Sequence, residues 1–134
     1  MNSRTYDYRV IKTSWGIEVS LTARVVPAEG VRDTVWITRL VGLAYALEDR
    51  DVLPAENEQF VLALRALAPR IETRIKDPIV IEVQQISYMP TDFQIEGIRA
   101  AMYYWATEEF GLTSPEIAVS YDAAVKCYQF AWPS

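Results

Sequence analysis

The sequence predicts an α+β fold of about five mostly antiparallel strands, in the order β-β-α-α-β-α-β-β, with the helices packed on one face of the sheet. Hydrophobic residues alternate with polar ones near both ends of the chain, which is typical of half-buried strands. Between those runs they recur at spacings of three and four, which is typical of amphipathic helices. With 134 residues, of which 51% are hydrophobic, the chain can bury a substantial core. We therefore expect one α+β domain over residues 1–134.

The N-terminal region predicts a hairpin of two strands. Tyr6, Tyr8 and Val10 alternate with charged residues, and the same period of two runs through residues 17–25. Pro27 follows the second run and is expected to end the second strand.

The segment from Asp33 to Arg50 is ambiguous between helix and strand. Trp36, Leu40 and Leu47 fit one face of a helix, whereas the β-branched and aromatic residues at 35–38 favour a strand. We interpret the segment as a helix.

A second helix is predicted from Pro54, because proline is favoured at the first helical position. Its core face is marked by hydrophobic residues at helical spacing: Phe60, Leu64, Leu67 and Ile71. Pro69 removes a backbone donor, so we expect a kink or a fresh turn there.

The C-terminal half predicts a strand, a helix and a closing hairpin. The run IVIEVQQISY after Pro78 alternates like a strand, and two further alternating runs follow Pro115. The second of those runs contains Cys127, which we expect to be a small buried residue. Between these strands, Thr91 and Gln94 have the spacing of a capping box, so the helix is expected to begin at Thr91 and to end at Gly111.

The helix predicted from Thr91 carries two hydrophobic rows, where a surface helix needs one. The first row is an ordinary core face and comprises Ile95, Ile98, Met102, Trp105 and Ala106. The second lies nearly opposite and comprises Phe93, Gly97, Ala100 and Tyr104. One alternative is that this second row is buried under the N-terminal hairpin or under the helix predicted from Asp33 to Arg50. The other is that it binds a partner, because its small residues allow close approach and its two aromatic residues can serve as anchors.

Negative charge is concentrated on and beside the same helix. The formal charge is −5, and residues 78–134 contain 2 basic against 7 acidic residues. Glu96 lies near the start of the helix, whereas Glu108 and Glu109 lie in its last turn, where the helix dipole disfavours anions. These carboxylates either form a solvated acidic surface or bind a basic partner. The same charge argues against nucleic-acid binding, which needs clustered Lys and Arg.

Several chemistries are absent from the sequence. The chain contains no His and 1 Cys, so it lacks the residues for histidine-activated nucleophiles and for ordinary zinc sites. Glu48, Asp49 and Asp51 form an acidic cluster, which we interpret as a solvated helix end and loop. We expect no cofactor, no metal site, no membrane span and a cytoplasmic location.

Two functional hypotheses follow. The first is a non-catalytic protein-binding domain, such as a toxin-neutralising immunity protein or an inhibitor that occludes a basic protein partner, with Phe93, Glu96, Gly97, Ala100, Tyr104, Glu108 and Glu109 as the binding residues. The second is a self-associating structural domain, a homodimer that pairs through the second hydrophobic row. A small-ligand binder or a carboxylate-based enzyme is a weaker alternative.

Overall fold

The computed structural model describes residues 2–133 and confirms the α+β class with a five-stranded, mostly antiparallel sheet. Two helices and a separate two-stranded sheet complete the described part of the chain. The elements in chain order are β1 (Arg4–Ile11), β2 (Gly16–Pro27), β3 (Val35–Trp36), β4 (Val41–Tyr45), α1 (Pro54–Glu72), β5 (Ile79–Tyr88), a 3₁₀ turn (Pro90–Asp92), α2 (Glu96–Glu109), β6 (Ala118–Asp122) and β7 (Cys127–Ala131).

The strands of the main sheet lie in the order β1-β2-β5-β4-β3. All neighbouring pairs are antiparallel except β4 and β5, which are parallel and are connected through α1. A parallel pair needs such a crossover, because a tight turn cannot join strands that run in the same direction. The predicted hairpins β1–β2 and β6–β7 are both present.

The prediction of a helix from Asp33 to Arg50 is wrong, because this segment forms β3 and β4. Residues 41–44 are all buried, because Val41 and Leu43 face the core and the outer face at Gly42 is covered by Thr34 and Trp36. A strand buried on both faces loses the alternation of polar and hydrophobic residues, so its sequence resembles a buried helix. Glycine at position 42 lets the Trp36 ring of β3 lie close to the backbone of β4, because a Cβ at this position would lie 3.1 Å from carbons of that ring.

Both helices pack on the same face of the main sheet, where the core lies. α2 covers β1 and β2, whereas α1 lies against β4 and against α2. The buried side chains of β2 are Ile17, Val19, Leu21 and Ala23. α1 continues through Pro69 to Glu72 as one helix. Among residues 2–133, no helix is both long and apolar enough to cross a membrane.

In the described part of the chain, no helix covers the opposite face of the sheet, which is polar around Thr5, Thr22 and Glu82 and apolar around Ala44 and Val80. Thr5 and Thr22 share a hydrogen bond of 2.7 Å between their hydroxyls, and Arg24 forms a 2.7 Å ion pair with Glu82. Glu48, Asp49 and Asp51 are exposed in the loop after β4. The predicted loop is therefore present, but the predicted helix end is not, because among the described residues no helix precedes this loop. Cys127 is also exposed, contrary to the prediction, because the inward position on β7 belongs to Tyr128.

The helix predicted from Thr91 begins later than expected. α2 begins at Glu96, and Thr91 lies in the preceding 3₁₀ turn. The capping box does not form, because the Gln94 side chain hydrogen-bonds to the backbone of Tyr128. The end is closer to the prediction: α2 stops at Glu109, and Gly111 adopts a left-handed conformation with φ of 62°.

Candidate protein-binding surface

The second hydrophobic row of α2 is filled by the protein's own N-terminal hairpin. Gly97 and Ala100 are buried, and a Cβ on Gly97 would lie 2.5 Å from Cγ2 of Ile17. Phe93 precedes the helix and stacks on Tyr88, with ring centroids 3.8 Å apart. Of the two alternatives, burial under the N-terminal hairpin is therefore the one observed for Gly97 and Ala100, which cannot form the predicted binding surface; Phe93 is partly exposed, with one ring face covered by Tyr88.

Glu96 is separated from the other predicted acidic residues by the length of α2. It lies in the first turn of the helix, whereas Glu108 and Glu109 lie in the last. Its partly exposed carboxylate is at the end where the helix dipole favours a negative charge. Glu96 therefore does not belong to the same surface as the other two glutamates.

Tyr104, Glu108 and Glu109 do come together, beside the outer strand β1. Arg4 on β1 lies between the two carboxylates, with Nε 3.0 Å from Glu109 Oε1 and Nη1 3.5 Å from Glu108 Oε1. The side chains of Arg4 and Glu108 remain 42% and 49% exposed, so solvent weakens this ion pair. Arg4 thus pairs with the carboxylates at the end of α2 but does not shield them from solvent.

A stack of tyrosines adjoins these charges. The ring of Tyr104 lies between those of Tyr6 and Tyr8, with centroid distances of 5.5 Å and 5.9 Å. Tyr8 is buried, whereas Tyr6 and Tyr104 are each partly exposed. Partly exposed aromatic rings beside polar groups are among the side chains that protein interfaces favour.

Glu116 adds a third carboxylate to this region. The backbone N–H of Ile117 donates to the Tyr104 hydroxyl at 2.9 Å, which holds the preceding residue near the tyrosines. Burial raises the pKa of the Tyr6 phenol, and the negative charges of Glu108 and Glu116 raise it further. We name Arg4, Tyr6, Tyr104, Glu108, Glu109 and Glu116 the edge-strand surface.

The strand that borders this surface has an open edge. β1 pairs with β2 on one side. On the other side, a hydrogen bond closes each end of the edge: Trp105 Nε1 donates to Arg4 O at 2.9 Å, and Lys12 N donates to the Tyr128 hydroxyl at 2.9 Å. Within residues 2–133, the backbone of residues 5–11 makes no hydrogen bond outside its pairing with β2. Alternate N–H and C=O groups of this segment are therefore unpaired.

Sequence reasoning missed Arg4, Tyr6 and Glu116 as members of this surface. Arg4 and Glu109 are 105 positions apart in the chain, so no local pattern connects them. The alternation in β1 does show that Tyr6 and Tyr8 share a face, but not that Tyr104 stacks against them.

A buried ion pair forms a second polar cluster away from the edge-strand surface. Glu56 is 0% exposed, and its carboxylate accepts two hydrogen bonds from Arg50, at 2.7 and 2.8 Å. It also accepts from Leu53 N at 2.9 Å and from the Tyr88 hydroxyl at 3.1 Å. Burial raises the pKa of this carboxyl, but the hydrogen bonds outweigh burial, and the pKa lies below its ordinary value.

The role of this cluster is structural. Arg50 and Leu53 belong to the loop after β4, so their bonds to Glu56 hold that loop on the first turn of α1. All four acceptor bonds of the carboxylate are made within the chain, which leaves no position for a substrate atom. Among residues 2–133, no group of three or more Cys, Asp or Glu side chains is arranged to hold a metal ion.

Comparison with known proteins supplies a fold relationship. No protein-family model matches the chain, and no curated protein matches it. Its fold is similar to part of the crystal structure of the Thermus thermophilus protein ttk003000868, with a TM-score of 0.54 and 13% sequence identity. The similarity covers 75% of this chain and 14% of that one. At this identity the likeness concerns the fold alone, and fold by itself does not imply function.

Proposed function

We propose that this protein is a non-catalytic binding domain that recognises a basic protein partner, in the manner of a toxin-neutralising immunity protein or an inhibitor. The observation that supports the proposal is the edge-strand surface, where three carboxylates and two accessible tyrosines adjoin an unpaired strand edge. The binding site therefore comprises Tyr104, Glu108 and Glu109 from the sequence prediction, together with Arg4, Tyr6 and Glu116.

The charges and the rings have separate roles in this proposal. Glu108 and Glu116 are exposed, so their field reaches solvent and accelerates the encounter with a positively charged protein. Tyr6 and Tyr104 are already held by stacking, so contact with a partner costs little side-chain entropy and slows dissociation. Arg4 is the group that a partner's cation displaces.

Self-association through the second row of α2 receives no support. The middle of the row is enclosed by the N-terminal hairpin, since Ala100 is 0% exposed and Gly97 lies against Ile17 and Val19, which leaves only Phe93 and Tyr104 at its ends partly exposed. A dimer built on this row would require the N-terminal hairpin to detach, which would expose the core of the main sheet.

Charge reversal tests the proposal. We would capture proteins from a lysate of the source organism with the wild-type chain and with the variant Glu108→Lys/Glu109→Lys, at low and high salt. The expected result is a basic protein that the wild type retains, that salt weakens, and that the variant retains at least about tenfold less, as expected for the loss of some 1.4 kcal/mol of binding free energy.

The matched control is Asp51→Lys/Glu58→Lys, which makes the same change in net charge at exposed positions in the loop before α1 and on α1. It should retain the partner like the wild type. The charge reversal at Glu108 and Glu109 is not expected to unfold the protein, because the helix dipole favours cations in the last turn of α2. Equal retention by all three proteins would contradict the proposed site.

A further inference from the structure

We propose that the basic partner binds by adding an extended segment to β1 as a sixth strand of the main sheet. This inference rests on the proposed function and specifies how the partner is held. Between the closed ends at Arg4 and Lys12, residues 5–11 present alternate unpaired N–H and C=O groups. An extended peptide pairs with such an edge through its own backbone, which is a recurring mode of peptide recognition.

The length of the open edge limits the partner segment. Seven residues, 5–11, lie between the two closing hydrogen bonds. At roughly 3.4 Å per residue the edge is about 24 Å long, which accommodates a strand of about five to seven residues. Trp105 and Tyr128 set these two limits. Both side chains are almost fully buried, so the core holds them in place.

The surroundings of the edge determine which side chains the segment carries. On the helix side of β1, the added strand would run beside Tyr6 and the carboxylates of Glu108 and Glu116. Because alternate side chains of a strand point to the same face, Lys or Arg at every second position would meet these groups. On the other face, Asp7 and Arg9 present both signs of charge, so small polar residues fit there.

A second copy of this chain fits the edge less well than a basic segment. Pairing two β1 strands would bring two sets of Glu108, Glu109 and Glu116 to one interface, and like charges at an interface oppose association. Asp7 and Arg9 on the edge strand also disfavour indiscriminate pairing between sheets. The occupant that complements both the backbone and the charge is an extended cationic segment of another protein.

The probe for this inference is a capped nine-residue peptide of alternating Thr and Arg, used at low salt with the intact protein. Its control has the same sequence and charge but carries an N-methyl group on every backbone amide, so it cannot donate to β1. Binding is measured by NMR titration, and amide hydrogen exchange is measured along the chain.

Strand addition predicts that the unmodified peptide slows exchange at alternate amides of residues 5–11, and that the methylated peptide binds at least about tenfold more weakly. The two peptides could instead bind equally well, without protecting β1 and only when Glu108 and Glu109 are intact. That result would overturn strand addition and leave the acidic binding surface in place. Failure of both peptides to bind would overturn both proposals. Protection of β1 that the charge reversal leaves unaltered would overturn the acidic binding surface and support strand addition alone.

Discussion

The side-chain amide of Gln94 forms both hydrogen bonds that a neighbouring strand would make with Tyr128. Gln94 Nε2 donates to Tyr128 O at 2.8 Å, and Tyr128 N donates to Gln94 Oε1 at 2.9 Å. Tyr128 is 2% exposed, so its backbone groups are remote from water and depend on these two bonds. One side chain before α2 thus attaches the C-terminal hairpin β6–β7 to the rest of the fold.

Replacing Gln94 with Ala should destabilise the protein by about 1–3 kcal/mol, because it leaves a buried donor and a buried acceptor unpaired. Gln94→Glu should not restore the loss, because its carboxylate accepts from Tyr128 N but places a charged acceptor against Tyr128 O, which then has no donor. Urea unfolding measures both values. A Gln94→Ala stability within about 0.5 kcal/mol of the wild type would contradict this account.

The close approach of α2 to β2 at Gly97 makes a second prediction. A Cβ at this position would lie 2.5 Å from Cγ2 of Ile17 and 3.1 Å from Cγ2 of Val19. These methyl groups are attached to Cβ and cannot rotate away freely. Gly97→Ala should therefore destabilise the fold by about 1–3 kcal/mol, although alanine is the better helix former.

Ile17→Leu removes the obstructing Cγ2 methyl and provides the control. The double variant with Gly97→Ala should lose less stability than the sum of the single changes, as measured by chemical unfolding. Gly97→Leu should prevent folding altogether. A folded Gly97→Leu protein of reduced oligomeric state would instead show that Gly97 lies at an interface between copies.

Much of the fold follows from local patterns. Alternation correctly predicts β1, β2, β5 and the closing hairpin, and it is clearest in β2, where Ile17, Val19 and Leu21 are buried between more exposed neighbours. The same rule fails for β4, which is buried on both faces. It also fails to place the start of α2, because the bonding partner of Gln94 is 34 positions away.

The candidate site shows a similar limit. A helical wheel identifies two hydrophobic rows on α2, but it cannot say that Ile17 and Val19 cover the second one. Among the predicted binding residues, Tyr104, Glu108 and Glu109 meet at one surface because they share the end of α2 next to β1. Arg4 joins them through a contact that only the folded chain creates.

The buried phenol of Tyr8 predicts a loss of stability at alkaline pH. Burial raises the pKa of Tyr8, and the neighbouring rings of Tyr104 and Tyr6 raise it further. The neutral phenol is thus favoured in the folded state, so its contribution is complete below the unfolded pKa of about 10 and is lost as pH rises through the folded pKa. In unfolding experiments, the stability of the Tyr8→Phe variant should therefore fall less steeply above about pH 10 than that of the wild type. An unchanged slope would contradict this prediction.

The buried pair of Arg50 and Glu56 predicts that removing the two partners has unequal costs. Arg50→Met leaves a fully buried carboxylate without its cation and should destabilise the protein by about 3 kcal/mol or more. Glu56→Gln should cost less, because the Arg50 side chain is 33% exposed and can be hydrated. In Arg50→Met/Glu56→Gln, no buried charge remains, so part of the loss should be recovered.

The pH dependence of the same pair gives an independent test. The folded pKa of Glu56 is lowered, so its stabilising effect is complete above the unfolded value of about 4.3 and is lost as pH falls through the folded pKa. Arg50→Met removes two of the bonds that lower this pKa, and the opposing effect of burial remains. The variant should therefore lose less of its remaining stability than the wild type as pH falls below about 4.3, as measured by urea unfolding at each pH. Parallel acid profiles for the two proteins would mean that Arg50 does not set the charge state of Glu56.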